Sequence, residues 1–458
     1  MRSMRVGKPL AAVAALGLIV WGGTEARAWS LEEAAAPYRG QEIRHICDGY
    51  SPCVANQELA KEFEQRTGIK VVFEIADLNA VQEKILADQL TEGQYYDLVQ
   101  AVNPALGLWV EQGFAAPMST FMDDPTLRDP SVNPDQDFVP EIYQFSSVYN
   151  GEQYAFPYHF LPPFAIYRKD IAADPDEQAA FQEKYGYDLP LNGDLIEESP
   201  TWEQWNDISE FFTRKAGESA GGATLERDLF GNAAAFKRHL TVFYDYERIL
   251  VGMGGEYVDA NGKSAIDSEV ARKALQYMLD WRQWSPPYFT EFSWDEAYSE
   301  FCNGNLFSTF SWGDTTPYIE DPAGCPLVAG KLGYFLHGER TPAEGLNMII
   351  PASAPHPEAA FLFAQWIASK EVQLKCQKIG CATYRKDVLF DPSFDQDARF
   401  LIHREAVERG LYTPPHPPGM LAVQEIAQEE LSAAGADQQD VETTIMDLHN
   451  RFTEALAQ

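Results

Sequence analysis

The chain has 458 residues, of which 45% are hydrophobic and 23% are charged. This composition is typical of a globular protein with a sizeable core, and the length suggests about two to four domains or two large lobes. The 35 basic and 69 acidic residues give a formal net charge of −34. So acidic a surface repels phosphate backbones and anionic lipids, which argues against nucleic acid and membrane surfaces as partners.

Residues 1–28 have the pattern of a secretory signal peptide. Arg2, Arg5 and Lys8 form a basic start, residues 9–21 are mostly apolar, and Ala26-Arg27-Ala28 is a small-x-small cleavage site. Such a segment is removed on export and is too short to span a bilayer comfortably. No cysteine follows the cleavage site to carry a lipid anchor. We therefore expect a soluble, non-lipidated periplasmic protein.

The N-terminal half of the mature chain alternates buried strands with amphipathic helices. The hydrophobic pattern predicts strands over 43–46, 69–75 and 96–102, and helices over 57–67 and 79–91. This alternation is typical of a parallel α/β sheet. Ligands of such sheets bind beyond the carboxyl ends of the strands, which lie here at 47–50, 77–79 and 103–104.

The rest of the chain is richer in helices. A capping box at Thr201 and Gln204 predicts a helix that runs to about Lys215, and further helices are predicted over 269–284, 357–369 and most of 421–457. Residues 255–263 are typical of a hairpin turn. The proline-rich residues 413–419 are predicted to form a stiff connector.

Six cysteines remain after cleavage, and an even number in an exported protein suggests disulfides. Six cysteines allow about fifteen pairings, so the sequence does not fix the connectivity. Closeness along the chain favours Cys47–Cys53 and Cys376–Cys381, which leaves Cys302–Cys325. The spacings do not match a zinc site, and we expect neither a metal nor another cofactor.

Two short motifs suggest chemistry but have simpler explanations. Residues 217–221 match the G-x-S-x-G nucleophile elbow, yet a predicted helix precedes Ser219 where that motif requires a strand, so a loop is favoured. Residues 259–262 faintly resemble a calcium loop, but the glycine comes too early and no closing glutamate follows. Asn-Gly at this point favours a tight turn.

Aromatic residues give a more useful signal. Three polar segments, residues 154–159, 243–247 and 311–314, each place aromatic rings beside carboxylate or imidazole groups. A ring covers the apolar C–H patches of a sugar, while a neighbouring polar group binds its hydroxyls. Together the three segments favour a carbohydrate or polyol ligand.

Several segments, in this order and spacing, resemble the extracellular solute-binding proteins of ABC importers, family 1, the group that includes maltose-binding protein. The resemblance covers nearly the whole mature chain. It is carried by residues 68–72, 96–99 and 113–118, by Asn150-Gly151-Glu152-Gln153-Tyr154-Ala155-Phe156-Pro157, and by Tyr167-Arg168-Lys169-Asp170, 200–204, 301–305, 358–360 and 369–371. Arg168 and Phe307-Ser308 depart from the usual family pattern.

The resemblance implies an α/β protein with the two-lobe periplasmic-binding-protein type II fold and hinge-crossing segments. We expect an N-terminal lobe of residues 29–152 plus 304–356 and a C-terminal lobe of residues 153–303 plus 357–458. By position, the ligand-binding residues are expected to be Asp48, Tyr50, Asn103, Trp109, Tyr158, His159, Tyr244, Asp245, Trp312, Asp314 and Asn347.

The function expected from this resemblance is binding rather than catalysis. A neutral polyhydroxylated solute, such as a sugar, an oligosaccharide or a polyol, would bind between the lobes and close them. The closed form of a monomeric protein would then deliver it to an inner-membrane ABC permease. Two alternatives stay open: an exported hydrolase that uses Ser219 or a carboxylate such as Asp245, and a periplasmic sensor of the same fold.

Overall fold

The computed structural model describes residues 29–91, 93–191, 193–196 and 198–457. The predicted signal peptide lies outside these residues. Among the described residues, no helix combines the length and the apolar character needed to cross a bilayer.

The first sheet has five strands and is built mainly from the N-terminal part of the chain. Its order is Lys70–Ala76, Glu42–Asp48, Leu98–Val102, Gly345–Ile349 and Ala155–Phe160. The first three strands are parallel, as predicted, and Gly345–Ile349 is antiparallel to both of its neighbours. Leu98–Val102 and Ala155–Phe160 are buried along their whole length, whereas the edge strand Lys70–Ala76 is mostly half-buried.

The second sheet has three strands. Phe164–Arg168 lies at the centre and pairs antiparallel with Ser308–Ser311 on one side and with Leu332–Phe335 on the other. Short two-stranded pairs join Val148–Tyr149 to Glu152–Gln153, Ser219–Ala220 to Ala223–Thr224, and Thr341–Pro342 to Leu411–Tyr412.

Helices surround both sheets. The α-helices span Leu31–Ala34, Ser51–Thr67, Leu78–Leu90, Leu106–Glu111, Ser119–Met122, Pro134–Asp137, Pro140–Ser147, Lys169–Ala172, Pro175–Tyr185, Trp202–Phe211, Leu240–Gly252, Glu269–Asp280, Trp294–Cys302, Thr316–Ile319, Pro357–Ile367, Lys370–Ile379, Lys386–Leu389, Ala398–Arg409, Met420–Gly435 and Val441–Leu456. Single 3₁₀ turns span Ala36–Tyr38, Asn103–Ala105, Trp281–Trp284, Phe289–Glu291 and Pro392–Phe394.

The helix signals in the sequence were largely confirmed. Gly68 ends the helix Ser51–Thr67 in the left-handed conformation, with φ of 73°, which a glycine adopts without strain. The capping box of Thr201 and Gln204 is formed, although its helix ends at Phe211 rather than near Lys215. In the predicted turn, the Gly262 N–H donates to the Asp259 carbonyl at 2.9 Å.

The predicted lobe boundaries do not coincide with the membership of the two sheets. Ala155–Phe160 belongs to the five-stranded sheet, so the chain first passes between the sheets at 161–163 rather than at 152–153. The strands Ser308–Ser311 and Leu332–Phe335 belong to the other sheet because both pair with Phe164–Arg168. The second passage therefore lies at 336–344.

The helices that follow residue 356 also differ from the prediction. Pro357–Ile367 and Lys370–Ile379 pack against helix Ser51–Thr67 of the N-terminal lobe, although the prediction placed 357–458 wholly in the C-terminal lobe. Met420–Gly435 and Val441–Leu456 pack with Leu240–Gly252 and Glu269–Asp280, beside the three-stranded sheet. The chain thus returns to the second lobe close to the pair Thr341–Pro342 and Leu411–Tyr412.

Candidate ligand-binding site

A cavity lies between the two sheets, at the carboxyl end of strand Glu42–Asp48. Its volume is about 70 Å³, which is below the usual range of small-molecule sites, so in this arrangement the lobes leave room for only a few water-sized molecules. We call it the interlobe cavity. Of the predicted site residues, it is lined by Asp48, Tyr50, Tyr244, Trp312 and Asp314.

The remaining lining residues were not predicted. They are Leu78, Leu161, Trp294, Tyr298, Thr315, Glu344, Gly345 and Leu346. Trp294 and Tyr298 lie one turn apart on helix Trp294–Cys302, which begins with a capping box of Ser293 and Glu296. This box and the i, i+4 aromatic pair are the sequence signals that could have located the helix, although the same spacing is also common in protein cores.

Asp48 and Tyr50 are held by the connection between a strand and a helix. Asp48 ends strand Glu42–Asp48, and its N–H donates to Gln100 Oε1 at 2.7 Å. The disulfide Cys47–Cys53 closes this connection. Both cavity-lining side chains therefore lie inside a short covalent loop, which limits the conformations available to them.

Trp312 and Asp314 follow strand Ser308–Ser311 of the other sheet. Their turn is closed by Thr315, whose Oγ1 donates to the Trp312 carbonyl at 2.9 Å. Gly313 separates the two residues, and a Cβ atom there would lie 2.4 Å from His403 Nε2. Only glycine therefore allows this turn to approach helix Ala398–Arg409 so closely.

The disulfides Cys302–Cys325 and Cys376–Cys381 are also formed, so all three predicted pairings are confirmed. The Cys302–Cys325 bridge encloses the segment that carries Trp312 and Asp314. Cys381 follows Gly380, whose carbonyl accepts a hydrogen bond of 3.4 Å from Ser51 Oγ. Each bridge thus closes a segment at or next to the interlobe cavity.

Three aromatic rings form a corner of the cavity. The Trp312 ring meets Trp294 edge to face, with centroids 5.8 Å apart, and meets Tyr244 in the same manner at 6.2 Å. Such geometry fixes the rings against one another. The corner therefore offers a rigid apolar surface to a ligand.

Two buried carboxyl groups face this aromatic corner from opposite lobes. Asp48 is 2% exposed and Asp314 is 7% exposed, and no described residue donates a hydrogen bond to Oδ1 of either. Burial raises the pKa of Asp48 to about 6. Burial, followed by repulsion from Asp48, raises the pKa of Asp314 to about 8. Near neutral pH the pair thus holds a proton.

Contacts between the lobes close over the cavity. Tyr50 Oη donates to Asp295 Oδ1 at 3.2 Å, and Ser51 Oγ donates to the Asp314 carbonyl. Tyr50 and Ser51 belong to the first lobe, whereas Asp295 and Asp314 belong to the second. The structure is therefore a closed arrangement in which both lobes contribute to one cavity.

Six predicted site residues do not line this cavity. Asp245 forms an ion pair with Arg248 at 2.8 Å, and the Trp109 ring packs against Phe114. The Tyr158 hydroxyl lies 3.4 Å from His45 Nε2. The other three, His159, Asn103 and Asn347, are buried in or at the end of strands of the five-stranded sheet.

The G-x-S-x-G segment is not a nucleophile elbow. Ser219 is exposed on the short strand Ser219–Ala220, which pairs with Ala223–Thr224 in a hairpin. The Gly221 N–H donates to Glu177 Oε1 at 3.0 Å, and Glu177 pairs with Arg214. The segment is thus a surface hairpin held by a salt bridge, as the loop interpretation predicted.

Within the part of the chain that the structure describes, no three His, Cys, Asp or Glu side chains gather closely enough to hold a metal ion. The lining of the cavity combines aromatic rings, carboxyl groups and hydroxyl groups.

Known proteins show the same architecture. A solute-binding protein of an ABC transporter from Agrobacterium radiobacter, solved in complex with ribitol, has a TM-score of 0.75 at 22% identity, over 91% of this chain and 99% of that one. The mannitol-binding protein of Pseudomonas aeruginosa is 22% identical over 69% of this chain and 66% of its own length. A probable amino-acid ABC transporter periplasmic-binding protein of Sinorhizobium fredii is 22% identical over 85% and 83%.

The family model described as bacterial extracellular solute-binding protein matches residues 55–374. This range includes most of both sheets and every described lining residue of the interlobe cavity except Asp48 and Tyr50. The chain therefore has the two-lobe fold and belongs to the bacterial extracellular solute-binding proteins.

Proposed function

We propose that the protein captures a sugar or polyol in the interlobe cavity and delivers it to an inner-membrane ABC permease. The observation that carries this proposal is the cavity itself, in which rigid aromatic rings and buried carboxyl groups converge from both lobes. Rings can cover the C–H faces of such a solute while carboxyl groups bind its hydroxyls. The ribitol and mannitol bound by similar proteins support the same solute class.

Closure of the lobes is the proposed mechanism. A solute that contacts Asp48 on one lobe and Trp312 on the other makes its full set of contacts only in the closed form. Binding therefore shifts the equilibrium between open and closed forms toward closure. A monomeric periplasmic protein in the closed form would be recognised by the permease, and no chemical change of the solute is involved.

Thermal unfolding with a panel of sugars, polyols, amino acids and peptides tests the proposal. A ligand at about 100 times its dissociation constant should stabilise the protein by about 2.7 kcal/mol. We expect stabilisation by sugars or polyols, and recovery of the solute unchanged in mass. Stabilisation by amino acids or peptides alone would contradict the solute class, and turnover abolished by Ser219→Ala would establish a hydrolase instead.

The Cys47–Cys53 bridge gives a second prediction. We expect the double variant Cys47→Ser, Cys53→Ser to lose about tenfold in affinity for the solute found by the panel, because Asp48 and Tyr50 would be less well positioned before binding. The loss of the cross-link should also lower the free energy of unfolding by ~2 kcal/mol. Isothermal titration calorimetry and chemical denaturation measure the two effects.

The matched control is Cys376→Ser, Cys381→Ser. This bridge closes a loop of similar length, with a sequence separation of 5 instead of 6, but it encloses no residue that lines the cavity. A similar loss of stability with a smaller loss of affinity is expected. Equal losses of affinity in both double variants would show that the bridges act only through overall stability.

A further inference from the structure

We infer that the solute carries a protonated amine in addition to its hydroxyl groups. This inference rests on the proposed function and replaces the neutral solute that the sequence suggested. Its starting point is the charge of the cavity. Asp48, Asp314 and Glu344 all line it, whereas no lysine, arginine or histidine lines it among the described residues.

The two aspartates form a built site rather than a surface cluster. Each is more than nine-tenths buried and lines the cavity, and Oδ1 of each has no hydrogen-bond donor among the described residues. Burial of a carboxylate oxygen without a donor is costly, and the pair holds a proton near neutral pH. An ammonium group between the two lobes would supply donors to both carboxyl groups and would replace that proton.

The basic groups on neighbouring elements are already engaged elsewhere. On helix Leu240–Gly252, Arg248 pairs with Asp245 at 2.8 Å. Before that helix, Lys237 pairs with Glu296 at 2.8 Å, and His239 contacts the hydroxyl of Thr241 at 2.9 Å. These three basic groups therefore do not pair with the acids that line the cavity.

Glu344 is a third acid in the lining of the cavity. It lies beside Glu247, a buried acid of helix Leu240–Gly252, and burial together with this neighbour raises the pKa of Glu344 well above its usual value. Burial, followed by the charges of Glu344 and Glu247, raises the pKa of the Tyr244 hydroxyl well above its usual value. One wall of the cavity thus combines acids with an aromatic ring.

The aromatic corner also suits a cation. The faces of Trp and Tyr rings carry negative partial charge and attract ammonium groups. Trp294, Trp312 and Tyr244 all line the cavity and meet edge to face, with centroids 5.8 and 6.2 Å apart. An aminopolyol or amino sugar would place its C–H patches on a ring and its ammonium group between ring and carboxylate.

Isothermal titration calorimetry at pH 7 tests the inference with matched probes. D-glucitol, D-mannitol and D-glucose are each compared with the counterpart in which one hydroxyl is replaced by an amine. We expect at least one amine counterpart to bind at least tenfold more tightly than its neutral parent. Asp314→Asn and Asp48→Asn should each abolish this preference, while Asp123→Asn, which removes an exposed carboxylate outside the cavity, should preserve it.

Equal or tighter binding of the neutral members would overturn the inference and leave the proposed function standing. Failure of every neutral and amine probe, together with no response in the wider sugar and polyol panel, would overturn both. Thermal unfolding of each variant shows that it is folded. A preference that persists in both folded aspartate variants would also count against the inference.

Discussion

Replacement of Asp314 by asparagine is expected to stabilise the ligand-free protein at pH 8 by ~3 kcal/mol. The pKa of Asp314 is about 8 in the folded protein, because burial and Asp48 disfavour its charged form, whereas an unfolded aspartate titrates near 3.9. Between these values the folded state holds a proton that the unfolded state has released. The free energy of unfolding must therefore fall as pH rises through this window.

Asparagine fills nearly the same volume and does not titrate, so the variant should not show this fall. One pKa unit corresponds to about 1.4 kcal/mol. If the cavity stayed closed and dry, the gain of Asp314→Asn in the free energy of unfolding would therefore exceed ~3 kcal/mol. Opening of the lobes lets water reach the carboxylate and reduces the gain. The advantage of the variant should shrink toward pH 4, where aspartate is protonated in both states.

Guanidinium denaturation of wild type and Asp314→Asn from pH 4.5 to 8.5 measures this difference. Asp123→Asn is the control, because it removes an exposed carboxylate away from the cavity. Parallel stability curves for wild type and Asp314→Asn would show that Asp314 is hydrated in the ligand-free protein. The cavity would then be open before a solute binds.

The part of the site that follows local rules could be predicted from sequence. Asp48 and Tyr50 lie between the end of a parallel strand and the start of a helix. Ligands bind at the carboxyl ends of such strands, so this position predicts both residues. Trp312 and Asp314 follow an antiparallel strand, and the aromatic segment 311–314 together with the family resemblance predicted them. These positions depend on short-range patterns that the sequence displays.

The rest depends on pairing between distant segments. Strand Phe164–Arg168 pairs with Ser308–Ser311, which is more than a hundred residues away, and no local pattern reveals such a partner. Because of this long-range pairing, the boundaries between the lobes differ from those predicted. Tyr158 and His159 are core residues for a similar reason, because their strand pairs with the distant Gly345–Ile349 and is buried along its whole length.

Trp294 and Tyr298 were missed for a related reason. Their spacing on helix Trp294–Cys302 is the same as that of a pair packed in a core, and only the position of the helix against the first lobe turns them toward a cavity. Asp245 was predicted from its aromatic neighbours, but Arg248 lies one helical turn away and pairs with it. The aromatic-acid pattern alone does not distinguish a ligand contact from an internal ion pair.

Trp312→Ala is expected to weaken binding of the solute about 100-fold, or ~2.7 kcal/mol. Trp312 contacts both Trp294 and Tyr244. Its removal therefore takes away the contact surface of the Trp312 ring and also the packing that positions the other two rings. The control is Trp202→Ala. Trp202 also stacks on a ring, that of His337 at 4.6 Å, but it lines a separate groove.

Calorimetric titration of both variants with the solute identified by the panel distinguishes a ring that contacts the solute from a ring that only stabilises the fold. Both substitutions remove ring packing and are expected to lower the unfolding temperature, so stability alone does not identify the site. Only Trp312→Ala should lose affinity. A Trp312→Ala protein that is folded and binds with the affinity of wild type would place the solute outside the interlobe cavity. A solute that fills the cavity must contact the corner formed by Trp312, Trp294 and Tyr244.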